Sequence, residues 1–325
     1  MAIIGIETLT YGVESVKLST QFFEDFGLKC HKKNDGGSDF KLPEGSKVLI
    51  RDNQDPSLLK SELVGYGVRE VIWGVDTEEA LEDLVTGLSV DRDVMRDDDG
   101  TAHFLTDFGI AMGLRIFVKK PVVCAPDPLN APGSVGRLNQ HRKWRQRAYP
   151  KTIAHVVFAI PEYEKGFIFM RDRLNFRLSD TQRGFGKYMR ADGSNSHHNI
   201  FLVNANIDLP GMDGKVRFHH ANFGLEDIDE VMIGANHMTR KGWPDSHLGL
   251  GRHRIDSALF YYLPCPAGGE AEYGADADYI DDSWVPRDWI EPLFGYAQFV
   301  HNLPPFLAEP PKWELSYLTE DDTDK

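Results

Sequence analysis

Four times along the chain, a run of apolar residues of β type passes into an acidic turn and then into apolar residues at helical spacing. The four places are Ile3–Gly27, Val68–Gly87, Ile153–Phe176 and Val216–Met238. In the first, Phe22, Phe23 and Phe26 share one helix face, and Gly27 is placed to stop the helix. In the second, Asp76-Thr77-Glu78-Glu79 reads as an Asp-x-x-Glu helix start, with Gly87 closing the helix. In the third, Pro161-Glu162 follows the strand, and proline is tolerated in a first helical turn. In the fourth, Glu226, Asp227 and Asp229 suit the positive end of a helix dipole. Short strands separated by turns such as Asp213-Gly214 and Gly268-Gly269 follow the helices. Each unit therefore reads β-α-β-β-β. The predicted class is α+β, with four tandem βαβββ modules forming two open-barrel domains.

The expected boundaries are an N-terminal domain at 1–125, a linker at 126–152, a C-terminal domain at 153–290 and an extension at 291–325. The linker is proline-rich, and its second half is basic (Arg137, Arg142, Lys143, Arg145, Arg147, Lys151). It reads as an ordered connection whose charges meet acidic surface. The acidic end, Glu320–Lys325, reads as a solvated tail. Aligning the starts of the units sets Glu7 and Glu70 where His155 and His220 stand. Aligning the final glycines sets Ala111 where Glu272 stands. The N-terminal half thus keeps the architecture without the histidines, which places the chemistry in the second half.

Charge and cysteine content narrow the classes further. The 36 basic and 50 acidic residues among 325 leave a formal charge of −14, which argues against nucleic acid or an anionic membrane as partner. No apolar run is long enough to span a bilayer. The opening MAIIGIETLT lacks the basic-then-apolar order of a signal peptide. Three widely spaced cysteines, Cys30, Cys124 and Cys265, make neither a disulfide framework nor a CxxC zinc site, and they suit a reducing, cytoplasmic setting. Gly249-Leu250-Gly251 lacks the third glycine of a dinucleotide fingerprint, and no GxxxxGK[ST], HExxH or GxSxG motif is present. Asp97-Asp98-Asp99-Gly100 lacks the ligand spacing of a calcium loop and reads as a turn.

The histidines carry the candidate chemistry. His155 and His220 occupy the same place in two repeats, so the symmetry of the repeats brings their strands together. A carboxylate on Gly269-Glu270-Ala271-Glu272-Tyr273-Gly274 completes a set of three, and strand alternation leaves Glu270 and Glu272 equally eligible. Two imidazoles and one carboxylate suit iron(II) with open positions, and the same set can hold manganese(II) or zinc.

The stretch from Gly251-Arg252-His253 through Asp256 and Tyr262 to Pro266–Gly274 resembles, in residue type and spacing, the closing motif of the type I extradiol ring-cleaving dioxygenases. These belong to the vicinal oxygen chelate superfamily. The resemblance selects Glu272 as the carboxylate ligand beside His155 and His220, with iron(II) expected and manganese(II) as the alternative. It implies His198, the second histidine of Ser196-His197-His198-Asn199, as the acid–base residue. It also implies His253 and Tyr262 as hydrogen-bonding groups for the substrate, with Asp256 orienting His253 from behind. The implied reaction is cleavage of an alkyl- or aryl-substituted catechol beside its hydroxyls, with both atoms of O2 incorporated. A homo-oligomer is expected, with neither nucleic acid nor membrane as partner. The alternatives are a glyoxalase-like lyase or isomerase and a non-catalytic sequestering protein. The segment between His198 and His220 and the C-terminal extension are longer than the family pattern, which points to an altered pocket rim.

Overall fold

The computed structural model describes residues 2–319; the tail from Glu320 lies outside the described residues. The first half forms strands β1 (Ile3–Val13), β2 (Lys29–Asn34), β3 (Gly37–Lys41), β4 (Lys47–Asp52), β5 (Gly67–Val75), β6 (Met95–Arg96), β7 (Ala102–Leu105) and β8 (Ala111–Ile116). Helix α1 (Val16–Phe26) follows β1, and α2 (Glu78–Leu88) follows β5. The sheet order is β2-β3-β4-β1-β5-β8-β7-β6. The second half repeats the scheme with β9 (Thr152–Ile160), α3 (Tyr163–Leu174), β10 (Arg177–Gln182), β11 (Gly186–Arg190), β12 (Ile200–Asn204), β13 (Arg217–Gly224), α4 (Ile228–Arg240), β14 (Gly251–Arg252), β15 (Leu259–Pro264) and β16 (Glu270–Ala275). Its order, β10-β11-β12-β9-β13-β16-β15-β14, matches the first strand for strand. In each sheet two βαβββ units meet through an antiparallel pair of first strands, β1 with β5 and β9 with β13.

Local chemistry sets the helix ends. Gly27 adopts φ 113°, the left-handed stop expected of it. The start of α2 is capped by Thr77, whose side chain accepts from the Ala80 amide, while Asp76 accepts from the Ala2 amide. Gly87 lies inside the last turn of α2, and Ser89 caps the helix, so the expected glycine stop falls two residues early. Asp227 caps α4 by accepting from the Glu230 amide. The helix after β9 starts at Tyr163, so Pro161 precedes the helix and is not part of its first turn.

One apolar core runs through both sheets. Helix α1 reaches across it: Phe26 stacks on Tyr273 at 4.1 Å, and the Tyr273 hydroxyl donates to the Phe26 carbonyl at 2.7 Å. Because side chains alternate along a strand, anchoring Tyr273 outward turns Glu272 toward the opposite, inner face of its sheet. The basic half of the linker meets acidic residues at the start of α4: Arg142 pairs with Asp229, Arg145 with Glu226 and Asp227, and Lys151 with Glu230.

The chain beyond residue 283 builds onto both edges of the second sheet. Strand β17 (Arg287–Trp289) runs parallel to β10, and β18 (Phe299–Val300) pairs with β14 at the far edge. Helix α5 (Pro292–Tyr296) lies between them, and β19 (Ser316–Tyr317) returns to pair with β17.

Candidate metal centre and active site

His155 on β9, His220 on β13 and Glu272 on β16 point into the second sheet's interior. His155 Nε2 lies 3.2 Å from His220 Nε2, and each ring nitrogen lies 3.2 Å from Glu272 Oε2. Three donor atoms at equal spacing surround one ion at about 2.0 Å if tetrahedral or about 2.3 Å if octahedral, the range of first-row divalent metals. Glu272 is 0% exposed, and neither of its carboxylate oxygens has a hydrogen bond. A buried carboxylate left so is costly unless it binds a cation. Burial pushes the Glu272 carboxyl up, but the facing imidazoles overcome this and hold it well below the usual carboxylate range. Burial also pushes His155 down, so the imidazole is neutral, as a metal ligand must be. The donor set therefore fits a divalent metal.

The ladders separate the two glutamates. Glu272 pairs with Tyr262 across β15, whereas Glu270 pairs with Pro264. Glu270 reaches His247, 3.4 Å away at the cavity mouth. His219 Nδ1 faces His220 Nδ1 at 2.7 Å, giving His220 a partner for the ring nitrogen turned away from the triangle. Burial drops His219 to about 4.

The same ladders correct the alignment with the first sheet. Glu70 pairs with Ala111 as His220 pairs with Glu270, which sets Gly113, not Ala111, at the place of Glu272. His103, opposite Gly113, then corresponds to Tyr262. His103 Nδ1 meets Glu70 Oε1 at 2.6 Å, and Lys47 meets Glu7 at 2.7 Å, so paired charges fill this position in the first sheet.

His198, between β11 and β12, stacks its ring on His155 at 4.1 Å. Burial first, then the neighbouring imidazoles, hold it well below the usual histidine range, so it is neutral and able to accept a proton. His253 Nε2 stands 3.1 Å from the Tyr262 hydroxyl, and the Tyr262 ring touches His220 edge-on at 5.0 Å. Burial raises Tyr262 well above the ordinary phenol value, so its hydroxyl keeps its proton. The expected role of Asp256 changes. The acceptor behind His253 is the Tyr296 carbonyl, 2.5 Å from Nδ1, whereas Asp256 lies 3.8 Å from His198 Nδ1. Tyr296 sits in the extension, and no local pattern ties it to His253.

These groups line one cavity of about 620 Å³. Its apolar wall includes Val157, Phe201, Met212, Ile255, Leu293 and Phe306. Met212 comes from the segment between His198 and His220, and Leu293 and Phe306 from the extension, so both segments line the cavity. Among the described residues lining it there is no lysine or arginine. Arg254 is turned onto the Phe294 ring and the Ala297 carbonyl, and Arg183 onto Asp288.

No family model matches the chain. In sequence it is 33% identical over 146 residues to metapyrocatechase 2 of Cupriavidus necator, a match covering 44% of this chain and 43% of that relative. The chain thus matches less than half the length of this relative. In structure it superposes on the Mn(II)-bound glyoxalase from Novosphingobium aromaticivorans with a TM-score of 0.70 at 18% identity, covering 92% of this chain and 91% of that one. It superposes on BphC, a halotolerant catechol dioxygenase, with a TM-score of 0.69 at 17% identity, covering 97% and 99%. Likeness at that identity speaks for the fold, and the repeated strand order and the sequence match agree with it. The chain therefore has the fold of these proteins, and over less than half its length it is similar in sequence to extradiol dioxygenases.

Proposed function

We propose that the protein is an iron(II)-dependent extradiol dioxygenase that cleaves an alkyl- or aryl-substituted catechol. The observation that carries this is the meeting, in one apolar cavity, of the His155–His220–Glu272 triangle with a neutral base, His198, and the hydrogen-bonding pair His253 and Tyr262. His155, His220 and Glu272 would hold the metal, which when bound supplies Lewis-acid polarisation of the diol and the redox chemistry with O2.

The chain's own residues do the rest. His198 takes a proton from a catechol hydroxyl and returns one to the opened ring. The Tyr296 carbonyl holds the His253 ring in place through Nδ1, so that the His253–Tyr262 pair presents hydrogen bonds to the diol oxygens. The apolar wall accepts the ring substituent and keeps bulk water from the reacting carbons. A carboxylated ring finds no lysine or arginine there and meets Asp256 and Glu270, which disfavours its charge.

The experiment is a panel of catechols offered to protein loaded anaerobically with iron(II), followed for the coloured ring-opened product after air is admitted. Alkyl and aryl catechols should react, with 3,4-dihydroxybenzoate much slower. Isomerisation of a glutathione hemithioacetal with no reaction on any catechol would instead favour a glyoxalase-like enzyme.

A further inference from the structure

Behind His198, away from the cavity, lies a buried polar chain. His197 is 1% exposed and Asp180 0% exposed. His197 Nδ1 stands 3.2 Å from His198 Nδ1, and His197 Nε2 stands 3.2 Å from Asp180 Oδ2. Asp180 also accepts from the Arg287 backbone amide at 2.7 Å, from Arg287 Nη2 at 2.6 Å and from Trp289 Nε1 at 3.2 Å. Arg287 and Trp289 come from β17, so the strand added at this edge of the sheet fixes this carboxylate.

Proton accounting along the chain leaves one consistent arrangement. A carboxylate forked by a guanidinium accepts only, so the nitrogen of His197 facing it is the N–H. With its hydrogen on Nε2 for Asp180, the imidazole of His197 turns Nδ1 to His198 as an acceptor. The nitrogen facing that acceptor, His198 Nδ1, must carry the hydrogen. His198 Nε2 is left with its lone pair for the cavity that His198 lines.

We propose that His197, oriented by Asp180, is a positioning residue that fixes His198 as the Nδ1–H tautomer and so presents Nε2 as the base. Its catalytic meaning rests on the role given to His198 above; the tautomer itself does not. Asp256, 3.8 Å from the same nitrogen, lies too far to hold that hydrogen but favours it on that side. His197, His198 and Asp256 also bring donor atoms within 4.8 Å of one another. Their spacing is uneven, and His197 is already engaged with Asp180, which marks a hydrogen-bonded relay and not a second metal site.

The test has two arms. In protein labelled with 15N-histidine and loaded with zinc(II), a diamagnetic substitute for iron(II), NMR should show His198 protonated on Nδ1 and bare on Nε2. In His197→Leu the acceptor is gone, and the Nε2–H form should appear. On iron(II)-loaded protein, His197→Leu should lower kcat by about 10–100-fold with KM changed less than about 3-fold. His197→Asn sets an amide oxygen near the place of Nδ1 and should recover most of that loss. An Nε2–H tautomer in the unsubstituted protein, full kcat in a folded His197→Leu, no rescue by asparagine, or a second tight zinc lost in His197→Leu would each overturn the proposal. Because the NMR arm needs no turnover, absence of catechol cleavage would defeat the proposed function while leaving the tautomer decided on its own.

Discussion

At the scale of single residues, Glu270 and Glu272 are two carboxylates on one strand face, separated by what each one meets. Glu272 faces two imidazoles in a sealed interior, and Glu270 faces His247 at the mouth. Glu272→Ala should therefore abolish metal binding, while Glu270→Ala should retain about one metal per chain, as read by metal analysis after desalting. Equal loss from both would undo this assignment. Tyr262→Phe keeps the ring against His220 and removes only a hydroxyl. It should lower kcat/KM by about 10–150-fold, the cost of roughly 1.5–3 kcal/mol for a hydrogen bond to a charged group, with metal content unchanged. His155, His220 and Glu272 come together as a triangle, with His198 stacked on His155 and Tyr262 against His220. Asp256 was expected behind His253 and lies instead near His198, because the group behind His253 is a carbonyl, that of Tyr296, contributed 43 positions later in the chain.

At the scale of elements, the strands and helices that carry strong periodicity or a cap were legible in the sequence. Helix α4 announced itself by Asp227 and the acidic first turn, and α1 by Phe22, Phe23, Phe26 and Gly27. Strands β17, β18 and β19 were not legible: each is two or three residues long and exists because an edge is available to pair with. The offset between Ala111 and Gly113 arises because strand pairing, not the shared final glycine, sets the register of β8. The turn before β16 gives an element-level prediction. Gly269 has φ 55°, and a Cβ there would stand 2.2 Å from the His219 carbonyl. Gly269→Ala should push β16 off β13, separating Glu272 from His220. We expect a stability loss above about 1 kcal/mol, seen as a lowered Tm, together with weakened metal binding.

At the scale of the whole molecule, one sheet carries the His155–His220–Glu272 triangle, and its repeat carries paired charges at the matching place. His103 is raised first by its hydrogen bond to the Glu70 carboxylate, with Asp97 on its other nitrogen adding to the effect. A histidine whose folded value lies above its unfolded value stabilises fully below the ordinary 6.5 and loses that contribution as pH rises through the folded value. The difference in urea midpoint between the unsubstituted protein and His103→Gln should therefore be larger at pH 6 than at pH 9. A difference that grows with pH would contradict the pairing. The second sheet's claim is chemical, and one measurement reaches it most directly: oxygen uptake by protein carrying about one iron(II) per chain, with and without 3-phenylcatechol. The account predicts rapid uptake that depends on the catechol and matches it mole for mole as the ring-opened product appears. Iron-replete protein that consumes no oxygen when the catechol is added would contradict it.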